Sequence, residues 1–155
     1  MMTRGFSVVG LYKPKTRVNV GAALRAVHCY GAASMMVEGA RGDAVKGGAN
    51  VFSTQKHTPL FMVDDLIEAR PFDTQIVVVD LIPGATPLHE FEHPERAMYV
   101  FGPEDGTLGY QHTNKAQHVI YVPTNGCMNL AATVNVVLYD RASKRNEWHG
   151  SSGVE

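Results

Sequence analysis

The sequence predicts an α/β protein with a mostly parallel sheet and helices on both of its faces. Short apolar segments alternate along the chain with segments of helical periodicity, which is the order of elements in βαβ units. The first apolar segment shows little polar and apolar alternation, as expected of an inner strand that is covered on both faces. Two later apolar segments each run into a glycine-bearing loop, and such loops at the carboxyl ends of strands are where open α/β sheets bind ligands.

Length and charge limit the possible classes of protein. The chain has 155 residues, is 45% apolar and carries a formal charge of −1, and a chain of this size buries about two-thirds of its unfolded surface. We expect one domain over residues 1–147, followed by a frayed polar tail from Trp148 to Glu155. The near-neutral total excludes attraction of the whole molecule to nucleic acid, so such a role needs a local basic patch.

Cysteine usage and hydropathy point to the cytoplasm. Cys29 and Cys127 lie far apart and have no paired spacing that would indicate a disulfide or a zinc site. The sequence has no apolar run of about 18 residues, and its first residues lack the apolar core of a signal peptide. We therefore expect a cytoplasmic protein without membrane contact.

The first half of the chain predicts a strand, a helix and several shorter elements. The first strand spans Phe6–Leu11, and a helix runs from Asn19 to Tyr30, because apolar residues recur there at helical spacing and Gly31 stands where a helix ends. Asn19 is interpreted as the helix start. The remaining predictions are a strand at Ser34–Glu38, a loop at Gly39–Gly48, a short element around Val51, a strand at Leu60–Val63 and a brief helix from a cap at Asp64 to Ala69.

The second half predicts three strands and a long helix. The strand at Gln75–Ile82 has the strongest pattern, and Pro87 begins a helical turn. Further strands are expected at Ala97–Phe101 and His118–Val122. Asn129 can cap the last helix. The stripe of that helix that faces the core consists of Leu130, Val134, Val137, Leu138 and Arg141.

Three segments of the chain together resemble one enzyme family. Asn19–Arg25 contains N-x-G-x-x-x-R, Phe101–Gly109 is similar to F-G-x-E-x-x-G-L with Leu108 ahead of Gly109, and Cys127–Leu130 stands where the family has S-[LM]-N-[LV]. These segments resemble the SpoU/TrmH-type RNA 2′-O-methyltransferases of the SPOUT class. In length and in its Val136–Asp140 ending, the chain is most similar to the minimal tRNA wobble-position 2′-O-methyltransferases.

The resemblance implies a fold, a reaction and partners. The fold would end in a C-terminal trefoil knot, with the last helix threading the loop that precedes it. The methyl donor would be S-adenosylmethionine, and the acceptor a ribose 2′-hydroxyl of RNA, with tRNA favoured and no role for DNA. The protein would be a homodimer in which the partner chain completes each site.

The cofactor residues that the resemblance implies are glycine or apolar. Glycine lets the backbone approach a ligand closely, and apolar side chains form a slot. The alternative is that these residues belong to the core beside two turns. The set consists of Leu81, Gly102, Leu108, Ile120, Val122, Met128 and Leu130.

The catalytic residues implied are Arg25, Asn19, Glu104, Asn129 and Cys127. The family account makes Arg25 a general base, but a guanidinium has a pKa above about 12, so gripping the RNA phosphate and the developing alkoxide is physically easier. Glu104 would orient Arg25 or Asn19, and Asn129 has a helix cap as its alternative role. Cys127 replaces the family's serine and is a poorer hydrogen-bond donor; direct transfer needs no cysteine nucleophile.

RNA contact is expected from basic residues in or near loops around the first motif. An ordinary solvated surface is the alternative for this set. Its members are Arg4, Lys13, Lys15, Arg17, Arg41 and Lys46.

One motif points elsewhere. His89–His93 matches H-E-x-x-H of zinc proteases, but Pro87 and Pro94 leave about two helical turns and no third ligand follows. We predict no metal and keep a zinc hydrolase as a weak alternative. A catalytically weak RNA- or ligand-binding module of the same fold is the stronger alternative, because of Cys127.

Overall fold

The computed structural model describes residues 5–45, 57–103, 105–106 and 108–147. In these residues a seven-stranded sheet is combined with four α-helices and with 3-10 turns at Gly42–Val45 and Leu88–Glu90. The strands are β1 (Phe6–Tyr12), β2 (Ser34–Glu38), β3 (Leu60–Val63), β4 (Gln75–Val79), β5 (Thr86–Pro87), β6 (Arg96–Phe101) and β7 (His118–Tyr121). The helices are α1 (Arg17–Cys29), α2 (Leu66–Ala69), α3 (Tyr110–Thr113) and α4 (Leu130–Arg145).

The sheet has the order β3-β2-β1-β6-β4-β7-β5, and all six pairs of neighbouring strands are parallel. The carboxyl ends of the strands therefore meet along one edge. The loops that follow β4, β6 and β7 are brought together there, because these three strands are adjacent in the sheet.

Apolar layers cover both faces of the sheet. Val77 and Val79 of β4 belong to the layer that packs against α1 and α4. Ile76 and Val78 point the other way and pack with Leu66 of α2. Burial on both faces explains why this strand has no polar alternation, and the predicted α/β class with a mostly parallel sheet is confirmed.

The start of α1 differs from the prediction. Thr16 is the N-cap, and its Oγ1 accepts a hydrogen bond from the backbone N–H of Asn19 at 3.2 Å. The predicted start at Asn19 is wrong because threonine is also a favoured cap and the helix begins two residues earlier. The Asn19 side chain is therefore not occupied by capping α1. Gly31, with φ of 70°, follows the helix end as predicted.

Several other helix and strand boundaries also differ from the predicted ones. The strongest strand ends at Val79 instead of Ile82, because a turn closed by Ala85 N–H to Ile82 O at 3.1 Å follows and Pro83 has no N–H. Asp65, not Asp64, caps α2. The elements β5 and α3 were not predicted, since each is too short to show a period. The element expected around Val51 and the tail from Trp148 lie outside the described residues.

A buried polar network ties α4 to β6. The His93 ring lies with Nε2 2.7 Å from Asp140 Oδ2 and Nδ1 2.6 Å from the Tyr99 hydroxyl, to which Arg141 donates at 3.0 Å. Burial lowers the pKa of His93 to about 4 and raises the pKa of Tyr99 to about 12. Because a carboxylate only accepts, Nε2–H donates to Asp140 and Nδ1 accepts from Tyr99. Lys144 also contacts Asp140, at 2.8 Å.

This network gives His93 of the H-E-x-x-H segment a structural role. Both ring nitrogens of His93 are engaged, whereas the His89 side chain is exposed. Across the described ranges no three histidine, cysteine or acidic residues are grouped to hold a metal. In the same residues no helix has the length and hydropathy needed to cross a membrane.

Candidate functional site

A cavity of about 520 Å³ opens at the carboxyl edge of the sheet, a volume within the range of small-molecule sites. Val79 and Phe101, the last residues of β4 and β6, form part of its lining. Leu130 and Thr133 add the first turn of α4. The loops after β4, β6 and β7 supply the rest, so both apolar and polar residues line the cavity.

Most of the predicted cofactor residues line this cavity. Leu81, Gly102, Val122, Met128 and Leu130 are among its lining residues. Leu81 is 76% exposed, so most of this residue faces solvent. The cavity therefore lies between the two loops from which the sequence predicted a pocket.

Two predicted cofactor residues lie elsewhere. Ile120 is fully buried within β7 and packs in the layer of α1 and α4. Leu108 is buried in the opposite layer, among residues such as Met98 and Val100. Neither side chain contributes to the cavity lining. Their side chains pack in the core, and a cofactor role for either residue stays a prediction.

The first and third motifs meet through two asparagines. Asn129 Nδ2 donates a hydrogen bond to Asn19 Oδ1 at 2.9 Å. Asn129 Oδ1 also accepts from the N–H groups of Ala131 and Ala132 and so caps α4. Cys127, two residues earlier, is exposed and lines the cavity. The asparagine pair thus stands beside the loop that forms one cavity wall.

Arg25 lies on the exposed face of α1 and is not part of the cavity lining. Within the described part of the chain, its guanidinium has no hydrogen-bond or ion-pair partner. Its predicted partner Glu104 lies outside the described residues. Arg25 is therefore accessible to an anion from solvent.

Two of the basic residues predicted to bind RNA form ion pairs with Asp105. Arg41 binds Asp105 through two hydrogen bonds of 3.2 and 2.6 Å, and Lys15 approaches the same carboxylate at 4.0 Å. The Arg41 hydrogen bonds hold the pKa of Asp105 below its usual value of 3.8. Lys13 and Arg17, each two positions from Lys15 in the sequence, are also exposed. The predicted RNA residues Arg4 and Lys46 lie outside the described ranges.

Two features of the cavity were not found from the sequence. Asp80 follows the last residue of β4 and lines the cavity, and its buried Oδ2 has no hydrogen-bond partner among the described residues. A Cβ placed on Gly126 would meet no heavy atom within 4 Å, so open space adjoins that backbone. The sequence feature that could have indicated Asp80 is a single carboxylate at the end of the strand with the strongest apolar pattern.

A parallel α/β sheet with a cavity at its carboxyl edge is the arrangement of a small-ligand-binding α/β protein. The model of the SpoU rRNA Methylase family matches residues 7–139. The chain therefore belongs to that family. A comparison with curated proteins gives no significant match.

Solved structures share the fold. The SpoU methyltransferase AviRb from Streptomyces viridochromogenes, in complex with AdoMet, is 19% identical with a TM-score of 0.79, over 94% of this chain and 60% of that one. The A. aeolicus TrmH/SpoU tRNA modifying enzyme is 19% identical with a TM-score of 0.75, over 94% and 78% of the two chains. A structure concerning the 2-OH methylation of C/U34 on tRNA is 21% identical with a TM-score of 0.75, over 90% and 95%.

The lengths of these relatives differ. The chain spans 60% of AviRb and 57% of the rRNA methyltransferase from Sinorhizobium meliloti. It spans 95% of the chain concerned with C/U34 methylation. At these identities the likeness establishes the fold.

Proposed function

We propose that this protein transfers a methyl group from S-adenosylmethionine to a ribose 2′-hydroxyl of RNA, with tRNA as the favoured substrate and the wobble nucleotide as the favoured target. One observation carries the proposal: three sequence motifs that are far apart in the chain converge. Gly102 of the second motif and Cys127 of the third line one cavity, and Asn129 joins the third motif to Asn19 of the first.

The cavity fits the cofactor of this family. Val79, Phe101 and Leu130 give apolar surface for the adenosine. Gly126 leaves open space where a side chain would stand. Asp80 offers an unpaired acceptor. S-adenosylmethionine supplies, when bound, an electrophilic methyl group on a cationic sulfur.

The chain's own residues would position the RNA. Arg25 has a planar fork that can hold a phosphate through two hydrogen bonds, and it is accessible on α1. A guanidinium held near the ribose also stabilises negative charge that develops on the hydroxyl oxygen. The pair of Asn19 and Asn129 fixes the two helix ends beside the cavity. Such fixed geometry lowers the entropy cost of aligning the hydroxyl with the methyl group.

The proposal for tRNA rests on the similarity to a solved structure that concerns tRNA methylation and on the basic residues near α1. The solved structure that concerns C/U34 methylation is matched over 95% of its length, so it has no large additional domain. Lys13 and Lys15 in the loop between β1 and α1, and Arg17 at the start of α1, are exposed and can contribute phosphate contacts.

The protein acts, in this proposal, as a homodimer. Val18 on α1 is 78% exposed, and Val136 and Tyr139 on the neighbouring α4 are 37% and 52% exposed. A second copy that packs on α1 and α4 would cover these apolar side chains. We expect Val136→Glu to lower the mass measured by light scattering to that of a monomer. Phe72→Glu, at a 96% exposed position outside both helices, is the control and should leave the mass unchanged.

A shared site can be tested by complementation. Arg25→Ala and Gly102→Val should each be inactive alone. In coexpressed mixed dimers, one site combines an intact Arg25 from one chain with an intact Gly102 cavity from the other. If the copies share the site, activity should recover to about a quarter of the wild-type value, as random pairing predicts. Failure to recover activity in verified mixed dimers would place the whole site in one chain.

The proposed reaction has a direct test. The protein is incubated with S-adenosylmethionine labelled in the methyl group and with total tRNA, and the RNA is digested to nucleosides. Label should appear in a ribose-methylated nucleoside. Sequencing of the labelled fragment then identifies the position. Label found only on a base would contradict the proposed chemistry.

A second candidate function is a ligand- or RNA-binding module with little catalysis. The observation that favours it is Cys127, which stands in the cavity lining where the family has serine. In that case calorimetry would detect binding of the cofactor while no RNA accepted the methyl group.

The proposed fold includes a C-terminal trefoil knot, in which α4 threads the loop that precedes it. The family membership and the three loops gathered at the cavity support this proposal. A pulling experiment on the chain ends provides a test. A retained knot would leave the stretched chain shorter than the roughly 3.5 Å per residue of a fully extended chain.

A further inference from the structure

Asp80 lies where the sheet ends and the cavity begins. Its backbone N–H donates to Ile120 O at 2.9 Å, so the ladder between β4 and β7 continues to this residue. The residue lines the cavity, and its Oδ2 is buried without a hydrogen-bond partner in the described residues. Buried polar atoms in native proteins are rarely left unpaired, and exceptions often occur at functional sites.

The polar side chains of the described residues around the cavity do not donate a hydrogen bond to Asp80 Oδ2. Thr124 donates its hydroxyl to Gly126 O at 2.6 Å. Thr133 donates its hydroxyl to Asn129 O at 3.0 Å. The hydroxyls of these two threonines are thus committed to backbone carbonyls. No group of the described residues, including Tyr121 and Asn125 of the lining, donates to Asp80 Oδ2, so a molecule that enters the cavity can supply the donor.

We propose that the Asp80 carboxylate accepts a hydrogen bond from a hydroxyl or amine of the adenosine half of the cofactor, and this inference rests on the proposed function. The sulfonium has no N–H or O–H group to offer to Oδ2. The amino-acid end of the cofactor is charged and strongly hydrated, so its burial beside an apolar lining is costly. The uncharged adenosine carries ribose hydroxyls and an amine, which makes it the better occupant of the buried part of the cavity.

The test compares two isosteric changes at opposite ends of β4. Asp80→Asn removes the charge and one acceptor at the cavity. Asp73→Asn is the matched control, because Asp73 precedes β4, is exposed and pairs with Arg96. Calorimetry on the full chain measures the affinity for S-adenosylmethionine, S-adenosylhomocysteine and 5′-methylthioadenosine. The last compound keeps the adenosine and lacks the amino-acid end.

We expect Asp80→Asn to weaken binding of all three compounds by about 10- to 100-fold, as for a hydrogen bond to a charged group. Asp73→Asn should bind as the wild type does. The melting temperature of cofactor-free Asp80→Asn should be equal to or higher than that of the wild type, because the substitution removes negative charge from a carboxylate with one buried, unpaired oxygen. Asp80→Ala provides a second variant in which the side chain cannot form a new hydrogen bond.

Other results would overturn the inference in distinguishable ways. A loss confined to S-adenosylmethionine would assign Asp80 to the sulfonium charge. Unchanged binding of 5′-methylthioadenosine would assign it to the amino-acid end. Unchanged binding of all three compounds would leave Asp80 without a ligand role, while the proposed function stands. Failure of the wild-type protein to bind any of them would overturn the proposed function as well.

Discussion

Asn129 at the start of α4 donates a hydrogen bond to Asn19 in α1, and the two residues are 110 positions apart in the sequence. At the other end of α1, the Tyr30 ring lies edge-on to Tyr139 of α4, with 6.4 Å between the centroids. The two helices therefore run side by side in the same direction, with their amino-terminal ends together. This packing places the first and third motifs next to each other at one side of the cavity.

The first prediction concerns this asparagine. Asn129→Ala removes the acceptor for two α4 N–H groups and the donor to Asn19. We expect the free energy of unfolding to fall by about 1 to 2 kcal/mol. Asn129→Asp is the control, because a carboxylate still caps the helix and favours its positive end. Urea unfolding of the three proteins measures the difference. Equal losses for both variants would mean that the cap contributes nothing.

The second prediction uses the open space at Gly126. Gly126→Ala should leave the free energy of unfolding within about 0.5 kcal/mol of the wild type, because the new methyl group meets no atom. The same methyl group occupies space beside the cavity and should weaken cofactor binding about 10-fold. Gly102→Val, on the opposite loop, should block binding more completely. Normal cofactor affinity in both variants would show that the ligand binds elsewhere.

The third prediction uses the two cysteines of the chain as target and control. Cys127 and Cys29 are both exposed, but only Cys127 lines the cavity. Saturating S-adenosylhomocysteine should slow alkylation of Cys127 by iodoacetamide and leave the rate at Cys29 unchanged. Mass spectrometry of the digested protein follows each site. Equal protection of both cysteines would indicate a general change in the protein rather than occupation of the cavity.

A substitution at Cys127 tests whether its thiol takes part in the reaction. Cys127→Ser restores the residue type that the family resemblance leads us to expect, and a hydroxyl is a better hydrogen-bond donor than a thiol. Methyl transfer should be retained or increased. A complete loss of transfer with normal cofactor affinity would give the thiol a specific role in the reaction.

The fourth prediction concerns Arg25. Arg25→Ala should lower methyl transfer by about 100- to 1000-fold, the size of effect expected when a group that stabilises developing charge is lost. Cofactor affinity should be unchanged, since Arg25 does not line the cavity. Arg25→Lys keeps the charge but loses the planar fork, so its activity should be intermediate. A parallel loss of cofactor affinity in Arg25→Ala would place the guanidinium at the cofactor instead.

Helical periodicity predicted which face of α4 is buried, but not what that face contacts. Arg141 was assigned to the core stripe with Leu130 and Val134, and it is only 1% exposed. Its partners include the carbonyls of Pro94 and Glu95, each at 2.8 Å. Such contacts depend on how a distant loop packs, and a local pattern contains no information about them.

Strand patterns have a similar limit at the site. Apolar residues at the end of a strand can face a helix or an open cavity, and the sequence is the same in both cases. Val122 lines the cavity whereas Ile120, two residues earlier, is covered by the core. Asp80 was not predicted as a site residue, because the strand was predicted to continue to Ile82 and so to include it. The loops were therefore located correctly, while individual residues required the tertiary structure.

The last prediction concerns stability below neutral pH. Burial lowers the pKa of His93 from 6.5 to about 4, with the Asp140 hydrogen bond opposing this shift in part. Between these two values the unfolded chain binds a proton that the folded protein excludes, so the free energy of unfolding rises with pH across this window. Above about pH 7, His93 therefore contributes roughly 3 kcal/mol more to the free energy of unfolding than it does at low pH. This contribution is lost as the pH falls from about 7 toward 4.

Urea unfolding at intervals from pH 4.5 to 7.5 measures this dependence, and His93→Gln isolates it. Glutamine can hydrogen-bond to both Tyr99 and Asp140 but does not titrate, so the slope of stability against pH should decrease in the variant. His89→Gln is the control, because His89 is exposed and makes only a weak contact with Glu90, at 3.8 Å. If His93→Gln kept the full slope while His89→Gln reduced it, the buried imidazole would not be the group that excludes the proton.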